Sequence, residues 1–397
     1  MKLLQINITA NWGSHGRIAE EIGQLVIKQG WESYIAYGRT AIPSQSHLIR
    51  IGSMMDERLH GFQSRLLDNH GLCSVRATMK FIKQIDQIKP DIIHLHNIHG
   101  YYLNYPILFD YLSKLDTPVV WTLHDCWSMT GHCAFFTYAN CNRWKTGCHH
   151  CQNLHTYPKS FFVDRSKENY LLKQHCFTSV KNLTIVPVSQ WLADIVSDSF
   201  LSKHPVKMIH NGVDLNKFRV LEKKRPSSEK RTLLGVSSVW EQRKGLGDFV
   251  KLRNLLDDSY DIILIGLTKK QIDSLPAGIK GITRTNDVDE LVQYYNQADF
   301  FVNPTYEDNF PLTNIEALAC GTPVVTYQTG GSPEAIDDHT GLVIEYGNVC
   351  ALAEGIRMLS HDANMLERRS HCRQRAEMLF NKDNSYQQYI CLYSKLV

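Results

Sequence analysis

The stretch "YEDNFPLTNIEALACGTPVV", 306–325, gathers three carboxylates, Glu307, Asp308 and Glu316, around a short apolar helix. Leu312, Ile315, Leu318 and Ala319 recur at helical spacing. Pro311 suits the first helical position, Asn309 a cap and Gly321 the stop. A carboxylate beside an apolar face is costly unless something binds it, so these acids imply a polar ligand. A second set of groups suits phosphate. In "SSVWEQRKGLGDFVKL", 237–252, Arg243 and Lys244 stand beside Gly245 and Gly247 at a strand end and a helix start. Two cations and a flexible backbone there fit a pyrophosphate; a solvated charge pair is the plain alternative. In "NWGSHGRIAEEI", 11–22, Gly13 and Gly16 let backbone approach a phosphate. The dinucleotide spacing is missing, and a simple strand-to-helix turn explains the stretch equally well. In "YQTGGSPEAIDD", 327–338, Gly330, Gly331 and Ser332 precede a further helix. Glu334 in its first turn serves either the helix dipole or a sugar hydroxyl.

Three other groups invite a metal or a proton. Asp287 and Asp289 in "TNDVDELV" form an Asp-x-Asp pair. It directly precedes a helical pattern, where Asp caps amides, and capping is the reading adopted here. His94 and His96 share a strand face, and His124 ends an apolar strand, where α/β proteins place ligands. In "GHCAFFTYANCNRWKTGCHHC", 131–151, Cys133, Cys141, Cys148 and Cys151 end in a Cys-x-x-Cys pair. That set fits a closed structural zinc site, with disulfides or buried free thiols as alternatives.

The elements that must position these residues alternate along the chain. Candidate strands are "KLLQINI", "SYIAYG", "DIIHLH", "PVVWTL", "TIVPVS", "TLLGVSS", "DIILIG", "DFFVNP" and "TPVVTY". Many are continuously apolar, as strands covered on both faces must be, and helical patterns separate them. This predicts α/β architecture: two Rossmann-like, doubly wound domains with a ligand cleft between them. We place an N-terminal domain at 1–205 with a cysteine-rich insert at 126–151, a C-terminal domain at 206–379, and a terminal helix at 380–397 packing back on the first. The charged stretch "LEKKRPSSEKR", 221–231, reads as a solvated connector. The chain has 397 residues, too many for one ordinary core. Its 43 basic and 40 acidic residues leave a net charge of +3, which gives no nucleic-acid signature. The opening "MKLLQINITANW" reads as a buried strand rather than a signal peptide, and eleven cysteines suit a reducing cytosol. No apolar run approaches the ~20 residues of a membrane span. Within 54–85, Leu59, Phe62, Leu66 and Leu67 fall at helical spacing near Arg58 and Arg65, with Arg76, Lys80 and Lys83 beyond. This segment is the candidate for a peripheral contact with an inner membrane, against the plain reading of a core helix with solvated cations.

With these motifs in order, the chain resembles a retaining glycosyltransferase of family four, with the GT-B fold. "NPTYEDNFPLTNIEALACGTPVV" matches the family's Glu-x7-Glu pattern, with Asp308 at the first place and Glu316 at the second. Glu307 falls one residue early. "RKG", "HNGVDLNKF", "VPVSQWLADIV" and "TGGSPEAI" match further family segments. The cysteine-bearing insert resembles a subgroup that builds colanic-acid-like and capsular polysaccharides. The resemblance implies a nucleotide diphosphate sugar donor, a lipid-linked oligosaccharide acceptor and no catalytic metal or other cofactor. It implies that Glu316 holds the donor ribose and Asp308 the transferred sugar. Backbone of Phe310, Pro311, Leu312 and Thr313, with Arg243 and Lys244, would face the diphosphate. Glu307, Asn309, Gly331 and Glu334 would complete the donor site, His124 would touch the donor sugar, and Gly16 would line the acceptor side. A nucleotide-sugar 2-epimerase of the same fold and a non-catalytic nucleotide-binding protein remain the alternatives.

Overall fold

The computed structural model describes residues 1–221 and 230–397, so most of the expected connector lies outside the described residues. The described chain divides into two units: Met1–Ile209 with Tyr386–Val397, and His210–Ser385. The first extends past residue 205 because Val206 bridges Ile185 and the Ile209 amide donates to the Pro187 carbonyl. The second extends past residue 379 because Val213 bridges Asn381. The terminal helix Lys382–Leu396 therefore starts in the second unit. From Tyr386 onward it belongs to the first, where Tyr386, Tyr389 and Tyr393 join a core with Leu3, Ile22 and Val186.

Each unit is built on one six-stranded sheet. The first holds β1 (Lys2–Asn7), β2 (Glu32–Tyr37), β3 (His47–Arg50), β4 (Ile92–Leu95), β5 (Val119–Leu123) and β6 (Leu183–Pro187), in the order β3-β2-β1-β4-β5-β6. The second holds β7 (Arg231–Val236), β8 (Tyr260–Ile265), β9 (Ile279–Ile282), β10 (Phe300–Asn303), β11 (Val324–Tyr327) and β12 (Gly341–Ile344), in the order β12-β11-β10-β7-β8-β9. All strand pairs are parallel. Counted within its own unit, each sheet has the same doubly wound order. Every residue of β4, β5, β6 and β11 is buried, which is why their sequences are mostly apolar rather than alternating. In both sheets the strand order reverses between the first and fourth strands, and beyond the carboxyl ends there such sheets bind ligands.

The segment expected to form one basic amphipathic helix is broken. It folds as helices Met54–Leu67 and Val75–Ile88. Between them Asp68 and Ser74 take left-handed backbone, as does Gly71 at φ +79°. Among the described residues no helix is long and apolar enough to cross a membrane.

Candidate active site

In the second unit, three loops at the carboxyl ends of neighbouring strands meet. The loop after β7 ends at Gly245, whose φ is +76° and whose added Cβ would stand 2.1 Å from the Pro304 carbonyl oxygen. Glycine there lets the loop touch the one after β10. The Tyr306 amide then donates to the Arg243 carbonyl at 2.7 Å, and Lys244 Nζ reaches Asp308 Oδ2 at 2.5 Å. Arg243 Nη1 reaches the Glu307 carbonyl at 3.4 Å, while its Nε pairs with Glu241. The loop after β11 joins through Gly330, where an added Cβ would lie 1.7 Å from the Asp308 carbonyl oxygen. Thr329 Oγ1 donates to the Tyr306 carbonyl at 3.1 Å.

Helix Leu312–Ala319 follows at once. Asn309 is not its cap. Pro311 takes that position with extended backbone and makes no side-chain cap bond. Asn309 is itself buried. The opening amides of Leu312 and Thr313 stand at the positive end of the helix, which suits an anion. Glu316, half-buried on this helix, accepts a hydrogen bond from Tyr295 OH at 2.9 Å. Burial and the adjacent Glu316 carboxylate keep the Tyr295 phenol protonated far above its ordinary range. Glu334 accepts from His210 Nε2 at 3.1 Å, and the His210 ring stacks on Phe310 at 4.8 Å. Gly331, buried, opens the short turn Ser332–Ala335 that carries Glu334.

Two buried polar networks brace these loops. Asn303 donates to Asn314, Asn314 to Ser332 Oγ, and Ser332 bonds Thr326. Tyr306 and Tyr327 both donate to Asp248 Oδ2, at 2.5 and 2.9 Å. A fully satisfied network of this kind fixes one arrangement of a site. Asp287 caps helix Val288–Gln297 by accepting the Glu290 amide at 2.8 Å, as expected of it, and Asp289 lies in the first turn.

In the first unit a cavity of about 520 Å³ lies at the strand ends, with Trp12, His15, Arg39, His99, Asp125 and Tyr157 among its walls. His99 Nε2 lies 2.8 Å from Asp125 Oδ2, and its Nδ1 lies 2.8 Å from Tyr157 OH. Burial opposes the Asp125 charge, but His99 and the Trp127 amide hold its carboxyl below the usual range. Burial, helped by the nearby His99, drives His15 down to about 4. Its Nδ1 is 3.0 Å from Asn7 Oδ1, so the neutral ring keeps a lone pair on Nε2.

Of the first-unit residues singled out from sequence, Gly13 lines this cavity, whereas Gly16, His94, His96 and His124 are not in its wall. Gly16 is buried, with its Cα side packed so closely that a Cβ would stand 2.6 Å from Thr9 Oγ1; Gly13 and His15 line the space instead. His124 stacks on His96 at 5.6 Å, and His96 Nε2 bonds Gln5. His94 is a core residue bonded to Thr122 and Tyr393. His15, His99, Asp125 and Tyr157 were missed because contacts such as His99 with Tyr157 join residues far apart in sequence. The available signal was the run of histidines after β4. Cys133, Cys141, Cys148 and Cys151 are free thiols, and Cys133 donates to Cys151. Among the described residues no three His, Cys, Asp or Glu side chains stand grouped to hold a metal ion.

Comparison with known proteins agrees with this geometry. Residues 230–362 match the family described as "Glycosyl transferases group 1". The chain is 25% identical over 419 residues to the Escherichia coli (strain K12) protein titled "Putative colanic acid biosynthesis glycosyl transferase WcaC", with all of both chains covered. Its fold is similar to sucrose-phosphate synthase of Thermosynechococcus elongatus, at TM-score 0.76 and 17% identity over 100% of this chain and 98% of that one. It is also similar to HepE of Anabaena, solved with UDP-glucose, at TM-score 0.67 and 15% identity over 100% of both. The fold is GT-B. Residues 16–217 match "Glycosyltransferase Family 4", and the chain belongs to that family of glycosyltransferases.

Proposed function

We propose that the protein is a retaining, metal-independent glycosyltransferase that moves a sugar from a nucleotide diphosphate sugar to a lipid-linked oligosaccharide during synthesis of a bacterial capsular or colanic-acid-like polysaccharide. The observation that carries the reading is the meeting of Lys244, Asp308 and the Leu312–Ala319 helix start on three braced loops. Lys244 and Asp308 neutralise each other in the free protein. An arriving donor exchanges partners with both: the diphosphate takes Lys244, Arg243 and the Leu312 and Thr313 amides, and a sugar hydroxyl takes Asp308. Glu316, aimed by Tyr295, binds the ribose hydroxyls. As the bond from the anomeric carbon to phosphate oxygen breaks, its electron pair stays on the phosphate. Fixed positive groups there stabilise the leaving group more than the intact donor. The acceptor oxygen attacks on the same face, and its proton passes to the departing phosphate oxygen.

The acceptor belongs in the first-unit cavity, where neutral His15 accepts from a hydroxyl and exposed Trp12 offers a flat apolar face at the rim. A lipid carrier suits the surface nearby in the same unit. Leu59, Phe62, Phe161 and Phe162 are all exposed, with Arg58, Arg65 and Lys159 among them. The Phe161 amide bonds the Arg65 carbonyl, so the two segments are adjacent. Apolar and aromatic side chains edged by cations suit an anionic bilayer surface. The test is nucleotide diphosphate release across a panel of donors, with a bacterial lipid extract as acceptor. Extract-dependent release supports the reading. Donor epimerised with no acceptor, or bound without turnover, contradicts it.

A further inference from the structure

Gln5 and Asn7 lie on the same face of β1, two residues apart, and both are fully buried. A buried side-chain amide is costly unless each end finds a partner, and here backbone groups dictate which end points where. Asn7 Nδ2 donates to the Thr9 carbonyl at 2.8 Å, and its Oδ1 accepts the Asn97 amide at 3.3 Å. A carbonyl only accepts and a backbone N–H only donates, so the Asn7 amide cannot be turned round. The Oδ1 that stands 3.0 Å from His15 Nδ1 is therefore an acceptor, and Nδ1 carries the ring proton. Gln5 repeats the device. Its Nε2 donates to the Ala19 carbonyl at 2.7 Å, so its Oε1 accepts from His96 Nε2 at 3.0 Å. His96 is buried and held neutral by that burial, and a neutral ring with its proton on Nε2 has a bare Nδ1. His124 Nε2 stands 3.3 Å from that Nδ1 and must be the donor. Each link thus donates to the next: His124 to His96, His96 to Gln5, and Gln5 to the Ala19 carbonyl. The run crosses the ends of three neighbouring strands, β5, β4 and β1.

We infer that Asn7 and Gln5 are positioning residues for recognition of the acceptor: Asn7 holds His15 as the Nδ1–H tautomer, and Gln5, through His96, holds His124 as the Nε2–H tautomer. His15 lines the first-unit cavity, and with its proton on Nδ1 its other nitrogen, Nε2, is an acceptor. The His124 ring lies 5.9 Å from the His15 ring. Its proton is committed to His96, so it does not cancel the His15 acceptor. At this point the wall takes a group that can donate, such as a sugar hydroxyl, in preference to a carboxylate or phosphate oxygen, which can only accept. A His15 with its proton on Nε2 would reverse that preference. The hydroxyl contact rests on the acceptor reading above; the two tautomers do not.

Ring nitrogen-15 spectra of histidine-labelled, full-length protein at neutral pH read each tautomer, because protonated and bare ring nitrogens resonate far apart. Loss of signals in His15→Gln and His124→Gln assigns them. The wild type should show His15 with its proton on Nδ1 and His124 with its proton on Nε2. Asn7→Leu keeps the bulk of Asn7 and removes its acceptor. It should move the His15 proton to Nε2 and raise the half-saturating amount of bacterial lipid extract about two- to tenfold, as loss of one neutral hydrogen bond does. The donor KM should stay unchanged. Gln5→Met should mix the His96 and His124 tautomers while His15 keeps its own. Wild-type His15 with its proton on Nε2, or on both nitrogens, overturns the Asn7 role, and wild-type His124 with its proton on Nδ1 overturns the Gln5 role, even if no variant folds. An unmoved His15 proton in folded Asn7→Leu overturns Asn7 as the cause. A moved proton with an unchanged need for the extract overturns the hydroxyl contact, and with it the acceptor reading of the cavity, while the tautomer control stands.

Discussion

Two glycines two positions apart should respond to alanine in opposite ways. Gly245 has φ +76°, and its added Cβ would stand 2.1 Å from the Pro304 carbonyl oxygen. Ordinary contact starts at 3.4 Å, so the loop after β10 must retreat by 3.4 − 2.1 = 1.3 Å. Left-handed backbone costs alanine about 1–2 kcal/mol, which for a unit of this size lowers the unfolding midpoint by about 2–8 °C. The catalytic loss should be larger than the stability loss, because the retreat carries Asp308 away from Lys244. A misplacement of about 1 Å in a reacting geometry can cost about 100-fold. Gly247 lies on the exposed side of helix Leu246–Leu255, and an added Cβ would meet nothing within 4 Å. Gly247→Ala should therefore keep wild-type turnover and gain about 0.4–1 kcal/mol of stability. Diphosphate release under donor saturation and below it, paired with thermal unfolding, reads both quantities. Wild-type kcat/KM in Gly245→Ala, or an equal loss in Gly247→Ala, would refute the claim that close approach of these two loops builds the donor site.

Further outcomes follow from other contacts. Lys244→Ala should lower kcat by about 100-fold or more, as removal of groups that stabilise developing charge does. Asp308→Asn should cost more activity than Glu307→Gln, and the reverse order would shift the sugar-binding role to Glu307. Glu316→Gln should weaken donor binding by about ten- to hundredfold, from a charged hydrogen bond of about 1.5–3 kcal/mol; an unchanged donor KM counts against the ribose role. Burial lowers His60 to about 4 and holds His70, His94 and His96 well below the ordinary range. The unfolded chain therefore takes up protons that the fold refuses as pH drops from about 6.5 toward 4. Stability should be level above that window and fall within it, by up to about 1.4 kcal/mol per pH unit for each histidine; equal denaturant midpoints at about pH 7.5 and about pH 5.5 would contradict this. Flotation with anionic vesicles at low salt should be lost in Phe62→Glu with Phe162→Glu, and undiminished flotation of that double variant would remove this surface as the membrane contact.

The legible parts of the fold were those with a strong local signal. The nine strands read from sequence are interior strands or well-buried ones, where continuous apolar runs mark them. β3, β9 and β12 were not read, and each is a four-residue edge strand with exposed or half-exposed positions. An edge strand covers little surface, so its sequence carries no run to detect. In the site, Lys244, Asp308 and Glu316 were visible because glycines, helix starts and acids stand close together along the chain. The bracing was not. Asp248 meets Tyr327 across 79 positions and Tyr295 meets Glu316 across 21, and no local pattern marks such pairs. Asn309 looked like a cap because propensity favours it there, but the helix starts two residues later, with Pro311 at the cap position and Asn309 buried.

The proposed transfer is same-face, from a diphosphate held by Lys244 and the Leu312–Ala319 helix start. NMR of the first product formed, before any isomerisation, measures this most directly. An α-configured nucleotide sugar should give an α-linked product, and Lys244→Ala should slow its appearance without changing the linkage. A β-linked product would contradict the account.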